Sequence, residues 1–380
     1  MKSNYKRLGD LISPVSVKNT DMVTDDLRGV NYQKYFMPSV ANTIGVDLSG
    51  YKMISKGQFA CNLMHVGRDE CLPIALHRED KPIIVSPAYF SFEVKNEKEI
   101  LPEFLFLWFK RSEFDREACF YTDADVRQGL IKSSFMDIQV PVPPIEAQRR
   151  IVTEYQANER RIENNRRLIA TLEATAQTIY RKMFVDNIDP NNLPQDWRMG
   201  TIGEFCKETK SGGTPSRTKN EYWDNKDYRW LKSGEVANNV IFDTEEYISE
   251  KGLNGSSAKI IPSGAVVMAM YGATASQVTY LDCDTTTNQA CCNMLTNSFE
   301  EAAYLYFHCL FQQENIKRLA NGGAQENLSQ EVICNQPMII PVIDVLQPFS
   351  KLLMAKIAFS KENYYLSLIL SLLLSKLSNI

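Results

Sequence analysis

Cys61, His65, Cys71 and His77 lie within one short stretch and are residue types that ligate zinc. Zinc sites usually pair ligands two to four residues apart at each end, and this set is unevenly spread, so core thiols and polar loop histidines are the better reading. The chain has 3 histidines, the third being His308, which leaves little for acid–base work. Cys291-Cys292 reads as a buried strand pair rather than a ligand set. There is no GxxxxGK[ST] loop to cradle phosphates, and no glycine fingerprint of the dinucleotide-binding kind. No acidic triplet suggests a magnesium-dependent nuclease centre. What remains is a binding segment, Lys210-Ser211-Gly212-Gly213-Thr214-Pro215-Ser216-Arg217, followed by Tyr222-Trp223 and Trp230-Leu231-Lys232-Ser233. Glycines let a backbone approach a ligand closely, and Thr, Ser, Lys and Arg donate to phosphate. Aromatic residues interleaved with bases fit a nucleic-acid surface. Taken alone, a plain turn between strands is the simpler account of such a loop.

The elements that must position this segment occur twice. Leu8-Gly9-Asp10-Leu11-Ile12 has a counterpart in Ile202-Gly203-Glu204-Phe205-Cys206, and Phe104-Leu105-Phe106-Leu107 in Tyr304-Leu305-Tyr306-Phe307. Leu130 through Pro143-Pro144-Ile145-Glu146 runs parallel to Leu328 through Pro341-Val342-Ile343-Asp344 at a constant offset of 198. Solenoid units are far shorter, so this is a domain duplication. Strand-like runs cover 81–92 and 264–271, each followed by an aromatic helix over 102–114 and 300–318. Proline clusters at Pro141, Pro143 and Pro144, then at Pro337 and Pro341, mark exits from globular domains into helices. Residues 187–197 form the return linker.

A heptad stripe, Ile151, Tyr155, Asn158, Ile162, Asn165, Ile169, Leu172, Ala176, Ile179, Met183, alternates steps of four and three, as the seam of a coiled coil does. Asn165 falls on Asn363 at the same 198 offset, and Leu366, Leu370, Leu373 and Leu377 continue a second stripe. A buried asparagine weakens such a seam but fixes its register. The central helix is the expected antiparallel partner of the last one. Leu368, Ile369, Leu372 and Leu374 lie off the second stripe, which implies a further neighbour, either another protein or this chain's own domains. The fold class is therefore α+β: two similar mixed α/β domains joined by two long antiparallel helices forming a coiled coil, a pseudo-two-fold internal repeat.

Composition sets the limits. A chain of 380 residues accommodates two to three domains, and 44% hydrophobic with 23% charged residues is ordinary for a folded soluble protein. The 9 cysteines without CxxC pairs read as buried thiols in a reducing cytosol. Met1-Lys2-Ser3-Asn4-Tyr5-Lys6-Arg7 has no apolar core region behind it, so no signal peptide is expected, and the apolar tail is expected to be too short and too serine-rich to span a membrane. A net charge of −4 argues against a protein that coats a polyanion on its own. Bases outnumber acids along 149–182, as either a local positive field or a solvated helix face.

Ser211-Gly212-Gly213-Thr214-Pro215-Ser216, Gly252-Leu253, Ile261-Pro262-Ser263-Gly264, Tyr271-Gly272-Ala273-Thr274 and Thr287-Asn288-Gln289-Ala290 together resemble a target-recognition domain of type I restriction-modification specificity subunits. The first copy resembles another variety of that domain through Lys56-Gly57-Gln58-Phe59, Asn62-Leu63-Met64-His65, Ala75-Leu76-His77 and Val85-Ser86-Pro87-Ala88-Tyr89. The exits Pro143-Pro144-Ile145-Glu146-Ala147-Gln148 and Pro341-Val342-Ile343-Asp344 resemble the family's passage into a conserved helix. Leu346 stands where the first copy has Gln148, and Pro348 falls in the first helical turn, so the start of the last helix departs from the pattern.

The resemblance implies recognition domains at 1–145 and 187–343 and conserved helices at 146–186 and 344–380. It implies a non-enzymatic, cytoplasmic subunit that reads a split, asymmetric site on double-stranded DNA. Two methyltransferase and two ATP-dependent endonuclease subunits would dock on it, with S-adenosylmethionine, ATP and magnesium held by those partners and no cofactor or metal by this chain. A helix over 146–184 at ~1.5 Å per residue is roughly 58 Å long, so the gap between half-sites has a ceiling of about 17 base pairs. Expected DNA contacts are Lys210, Thr214, Ser216, Arg217 and Lys232, with Tyr271 and Thr274, in the second domain. In the first domain they are Tyr32, Lys34, His65 and Arg68. The alternatives are a coiled-coil scaffold whose domains bind proteins, and the specificity subunit of a related system with a fused methyltransferase-nuclease partner.

Overall fold

The computed structural model describes residues 4–39, 45–64, 66–122, 129–186, 188–320 and 327–377. The chain divides into two compact units, one running through Arg160 and taking in the segment from Leu368, the other Arg161–Ser367. The dividing points fall within the two long helices rather than at their ends, because each end of each helix contributes side chains to the nearer globular core. Val152, Tyr155 and Leu377 belong to the first core, and Ala176, Tyr180 and Leu353 to the second.

In the first unit Tyr5–Arg7 pairs antiparallel with Gln139–Pro141, bringing entry and exit strands together. An antiparallel four-stranded sheet runs in the order Ile12–Pro14, Phe90–Val94, Phe59–Cys61, Ile74–Leu76. A three-stranded sheet of Val17–Lys18, Lys52–Ile54 and Ile83–Val85 and a hairpin of Arg28–Val30 with Phe36–Pro38 complete it. The run expected over 81–92 is two strands separated by a turn. The helix Pro102–Phe109 is apolar and buried at every position but Glu103, so neighbours cover more than one of its faces. It ends before 114 because Arg111 is extended (φ −77°, ψ 140°) as the N-cap of the next helix, Ser112–Phe120. The Arg111 guanidinium lies 3.9 Å from the centre of the Trp108 ring.

The second unit is built on the same plan, with its strands gathered into fewer and larger sheets. Arg198–Thr201 pairs with Pro337–Ile340, and the Ile202 amide donates to the Gln336 carbonyl at 3.0 Å, as Leu8 does to Ile138 at 2.8 Å. The two acceptors differ by 198, so the duplication read from sequence is repeated in backbone geometry. Gly9 and Gly203 each face a short helix so closely that a Cβ would lie 3.2 Å from the Met136 carbonyl oxygen and 3.1 Å from the Cys334 Cβ. A five-stranded mixed sheet runs Glu208–Ser211, Cys291–Leu295, Val266–Ala269, Val278–Leu281, Val240–Ile241. A four-stranded sheet runs Glu246–Ile248, Tyr228–Leu231, Thr285–Thr287, Ile260–Ile261. The aromatic helix Phe299–Lys317 buries Tyr304, Tyr306 and Phe307, with the Tyr304 and Phe307 rings packed near Phe349. All nine cysteines are free thiols, with Cys291 and Cys292 buried on one strand.

The central helix is Ile145–Arg181, followed by a π turn over Lys182–Asp186, and the last helix is Gln347–Lys376. Along the expected seam Tyr155, Ile162 and Asn165 are buried, while Ile151, Ile169 and Leu172 are half-buried. Within the second unit the Asn165 amide donates to Asn363 Oδ1 at 3.0 Å and Glu362 Oε2 at 2.8 Å. Further along, Lys356 is buried against Glu173, with its ammonium also donating to the Asn238 carbonyl at 2.7 Å and Tyr306 Oη at 2.5 Å. The pairs 165–363 and 173–356 run in opposite directions, so the two helix segments of this unit are antiparallel. Leu366 is half-buried; Leu370, Leu373 and Leu377 pack into the first core. So does Leu374, one of the off-stripe leucines. Leu368, Ile369 and Leu372 are exposed.

The two helix starts differ as their sequences do. The Gln148 amide is fully buried and bridges the Leu101 amide with the Glu99 and Pro143 carbonyls at 2.8–2.9 Å. Leu346 replaces that polar clamp with burial in the second core. A 3-10 turn, Ile343–Leu346, precedes the last helix, so Pro348 sits in the first helical turn, where no intrahelical N–H is required.

Candidate nucleic-acid interface

The glycine-rich segment follows the strand Glu208–Ser211. A Cβ on Gly212 would lie 2.1–2.3 Å from atoms of Asn288 and Thr287, and one on Gly213 would lie 2.4 Å from Ser257. Both glycines are therefore required by close packing against this unit's own chain. That packing holds the next residues in place. Trp230 Nε1 donates to the Gly213 carbonyl at 3.0 Å and Trp223 Nε1 to the Ser216 carbonyl at 3.1 Å. The two indoles meet edge to face at 5.0 Å.

Arg217 lies on this aromatic platform, its guanidinium 3.6 Å from the Trp223 ring centre and 4.8 Å from that of Trp230. The ring faces attract the guanidinium as a cation, while its N–H groups can still donate to other acceptors. One of them, Nη1, donates to Glu246 Oε2 at 2.5 Å. Lys232 reaches the same carboxylate at 3.2 Å and that of Glu245 at 2.7 Å. Hydrogen bonding from Arg217 holds the Glu246 carboxyl below its ordinary value, and bonding to Glu245 raises the Lys232 ammonium above its own.

Lys232 also caps the 3-10 turn Ser233–Glu235, and the Thr274 hydroxyl donates to the Ser233 carbonyl at 2.9 Å. Tyr271 opens the turn that carries Thr274 and is exposed. The structure thus joins Arg217 and Lys232 through Glu246 and holds Thr274 against the turn that follows Lys232. Ser216 bonds Thr218 at 2.9 Å within the loop, and Thr214 bonds Gln289. Lys210 stays on its strand, paired with Glu208 at 2.9 Å. Trp223, Trp230, Glu245 and Glu246 were not named as site residues from sequence. The tryptophans were visible beside the loop, whereas the acidic pair gave no sign that it would lie against these bases.

In the first unit Tyr32 is exposed. Lys34, expected among the DNA contacts, is instead a buried strut: its ammonium donates to both Asp115 carboxylate oxygens at 2.7 and 2.8 Å and to the Phe109 carbonyl. Its backbone is left-handed (φ 64°), which turns the side chain inward from the hairpin. His65 lies outside the described residues, and of Arg68 only the backbone, in the helix Val66–Asp69, is described. A cleft of about 400 Å³ is lined by Lys34 together with Arg28, His77, Arg78 and Lys110 and by the acids Glu79 and Glu159, and Glu159 pairs with both Lys110 at 2.7 Å and Arg78 at 3.4 Å. His77, from the candidate zinc set, places Nε2 2.8 Å from the Lys81 carbonyl.

No described helix is long and apolar enough to cross a membrane. The family model described as "Type I restriction modification DNA specificity domain" matches residues 75–174 and again 194–358, one match in each half of the duplication. The chain is 24% identical to the EcoR124I/EcoR124II specificity subunit of Escherichia coli over 42% of its own length and 40% of that protein's, so it spans less than half of that relative. It is 22% identical to the HindI specificity subunit of Haemophilus influenzae over 91% of each chain. Its fold is similar to that of a type I restriction-modification S subunit from M. genitalium, with a TM-score of 0.59 at 15% identity, covering 98% of this chain and 95% of that one. With the family model matched across more than half its length, and in both of its repeats, the chain belongs to the type I restriction-modification specificity family.

Proposed function

We propose that this chain is the non-catalytic subunit that reads a bipartite, asymmetric sequence on double-stranded DNA, one half-site for each recognition domain. The observation that carries the reading is the repeated specificity-domain match, one copy over each half of the chain. The cation–aromatic cluster of Arg217, Trp223, Trp230 and Lys232 supports it in the second domain, since a stacked guanidinium and a neighbouring ammonium suit base edges and phosphates. Tyr271 and Thr274 would extend that surface, and Tyr32 would serve the first domain. Recognition domains at 1–145 and 187–343 and helices at 146–186 and 344–380 remain the functional division.

The helices would dock two methyltransferase and two endonuclease subunits. Met354, Tyr365, Leu368, Ile369 and Leu372, exposed apolar residues of the last helix, support this. S-adenosylmethionine, ATP and magnesium would then belong to those partners, and the assembly would work in the cytoplasm. Mapping methylated adenines across the source genome, with and without this gene, tests the reading. An interrupted two-part motif that disappears on deletion is the expected result. A methylation pattern unchanged by deletion overturns it.

A further inference from the structure

In the free protein both cations of the second domain's cluster are already held by acids of the same unit. Arg217 donates to Glu246, and Lys232 is shared between Glu245 and Glu246. Each cation is thus offset by a neighbouring carboxylate, so the platform presents no excess positive charge to a duplex. The carboxylates do not sit on a tail that could swing aside. Glu246 begins the strand Glu246–Ile248, in register with Trp230, and its carbonyl accepts from the Thr244 hydroxyl at 2.7 Å. The Glu245 amide is tied to Glu235 Oε2 at 2.9 Å, and the other oxygen of Glu235 accepts from the Lys232 amide at 3.0 Å.

We propose that Glu246, assisted by Glu245, is a specificity-determining residue: an internal competitor that occupies Arg217 and Lys232 until DNA offers both cations matching acceptors. The inference rests on the DNA-reading function proposed above. Exposed ion pairs are weak, so a well-matched site opens the latch at small cost. A mismatched duplex leaves a fixed carboxylate facing phosphate with its counter-cations unevenly used, and like charge then disfavours the complex. Selectivity of this kind comes from a repulsive element added to the attractive ones.

The test uses the full-length chain and a fluorescent duplex of about 40 base pairs of degenerate sequence, titrated by anisotropy between roughly 50 and 200 mM salt. Glu246→Gln is expected to bind this non-cognate DNA about 5- to 10-fold tighter at the low-salt end, with a salt slope steeper by about one phosphate contact. Glu204→Gln, which removes the same charge from the Arg198 pair outside the cluster, should change affinity less than about 2-fold. The double variant Arg217→Ala/Glu246→Gln should return to the wild-type slope. Glu245→Gln supplies a second reading in the same direction should the Glu246 variant fold poorly. Equal effects of Glu204→Gln and Glu246→Gln, or no tightening in either cluster variant, overturn the inference while DNA reading stands. Wild-type and variant chains that all fail to bind at the lowest salt overturn both, whereas binding gained only on removing Glu246 supports the latch.

Discussion

Two basic residues placed together on the candidate list from sequence meet opposite fates. Arg217 is half-exposed over two indoles, while Lys34 is only 4% exposed. Both are paired with a distant carboxylate, and what separates them is burial: the Lys34–Asp115 pair, 81 positions apart, is sheltered from solvent, whereas the Arg217–Glu246 pair lies at the surface. Asp115 also accepts from the Leu72 amide at 3.0 Å, so it anchors two segments at once. Lys34→Met strands that carboxylate without its cation, at a cost of about 3 kcal/mol, the range for breaking one side of a buried pair. Thermal unfolding should show a clear fall in the midpoint of the first unit. An unchanged midpoint would mean that the pair contributes nothing net.

Among the elements, the helices carry the most legible signal and the least expected partners. The heptad stripe anticipated burial of Tyr155, Ile162 and Asn165, because steps of four and three put those positions on one face. It did not anticipate Lys356, a charged residue buried by Glu173, Tyr306 and the Asn238 carbonyl. Nor did it anticipate Tyr180, whose hydroxyl lies 2.6 Å from Nδ1 of the fully buried His308 on the helix Phe299–Lys317. Burial lowers the His308 imidazole to about 4, whereas an unfolded chain takes up that proton near ~6.5. The folded pKa is the lower one, so the contribution is complete above the unfolded value and is lost as pH falls towards 4. Denaturant unfolding of the second unit should lose up to about 3 kcal/mol between neutral pH and pH 4 from this group, and His308→Phe should flatten that part of the profile. A slope identical in variant and wild type would assign the pH dependence elsewhere.

For the whole molecule, duplication is the organising fact, and a prediction about spacing belongs at this scale. On the proposed function, a heptad inserted into both long helices adds ~10.5 Å of rise, equivalent to about three base pairs. The methylated motif should keep both half-sites and lengthen its unread gap by roughly that amount. Changed half-site sequences would count against helices that only set separation.

The sequence by itself determined the repeat, the helix faces and the family, because each is written in spacing: an offset of 198, a step of four and three, an ordered set of loop motifs. Even the polar-for-apolar exchange of Gln148 and Leu346 was visible as a departure, although its meaning was not. Tertiary structure alone decided which bases are held by carboxylates, and by which ones. Lys34 to Asp115, Arg217 to Glu246 and Lys356 to Glu173 are pairs between distant chain segments. Whether a charge faces water or a carboxylate depends on which strands and helices the fold sets side by side, and that adjacency is a property of packing, not of local order along the chain.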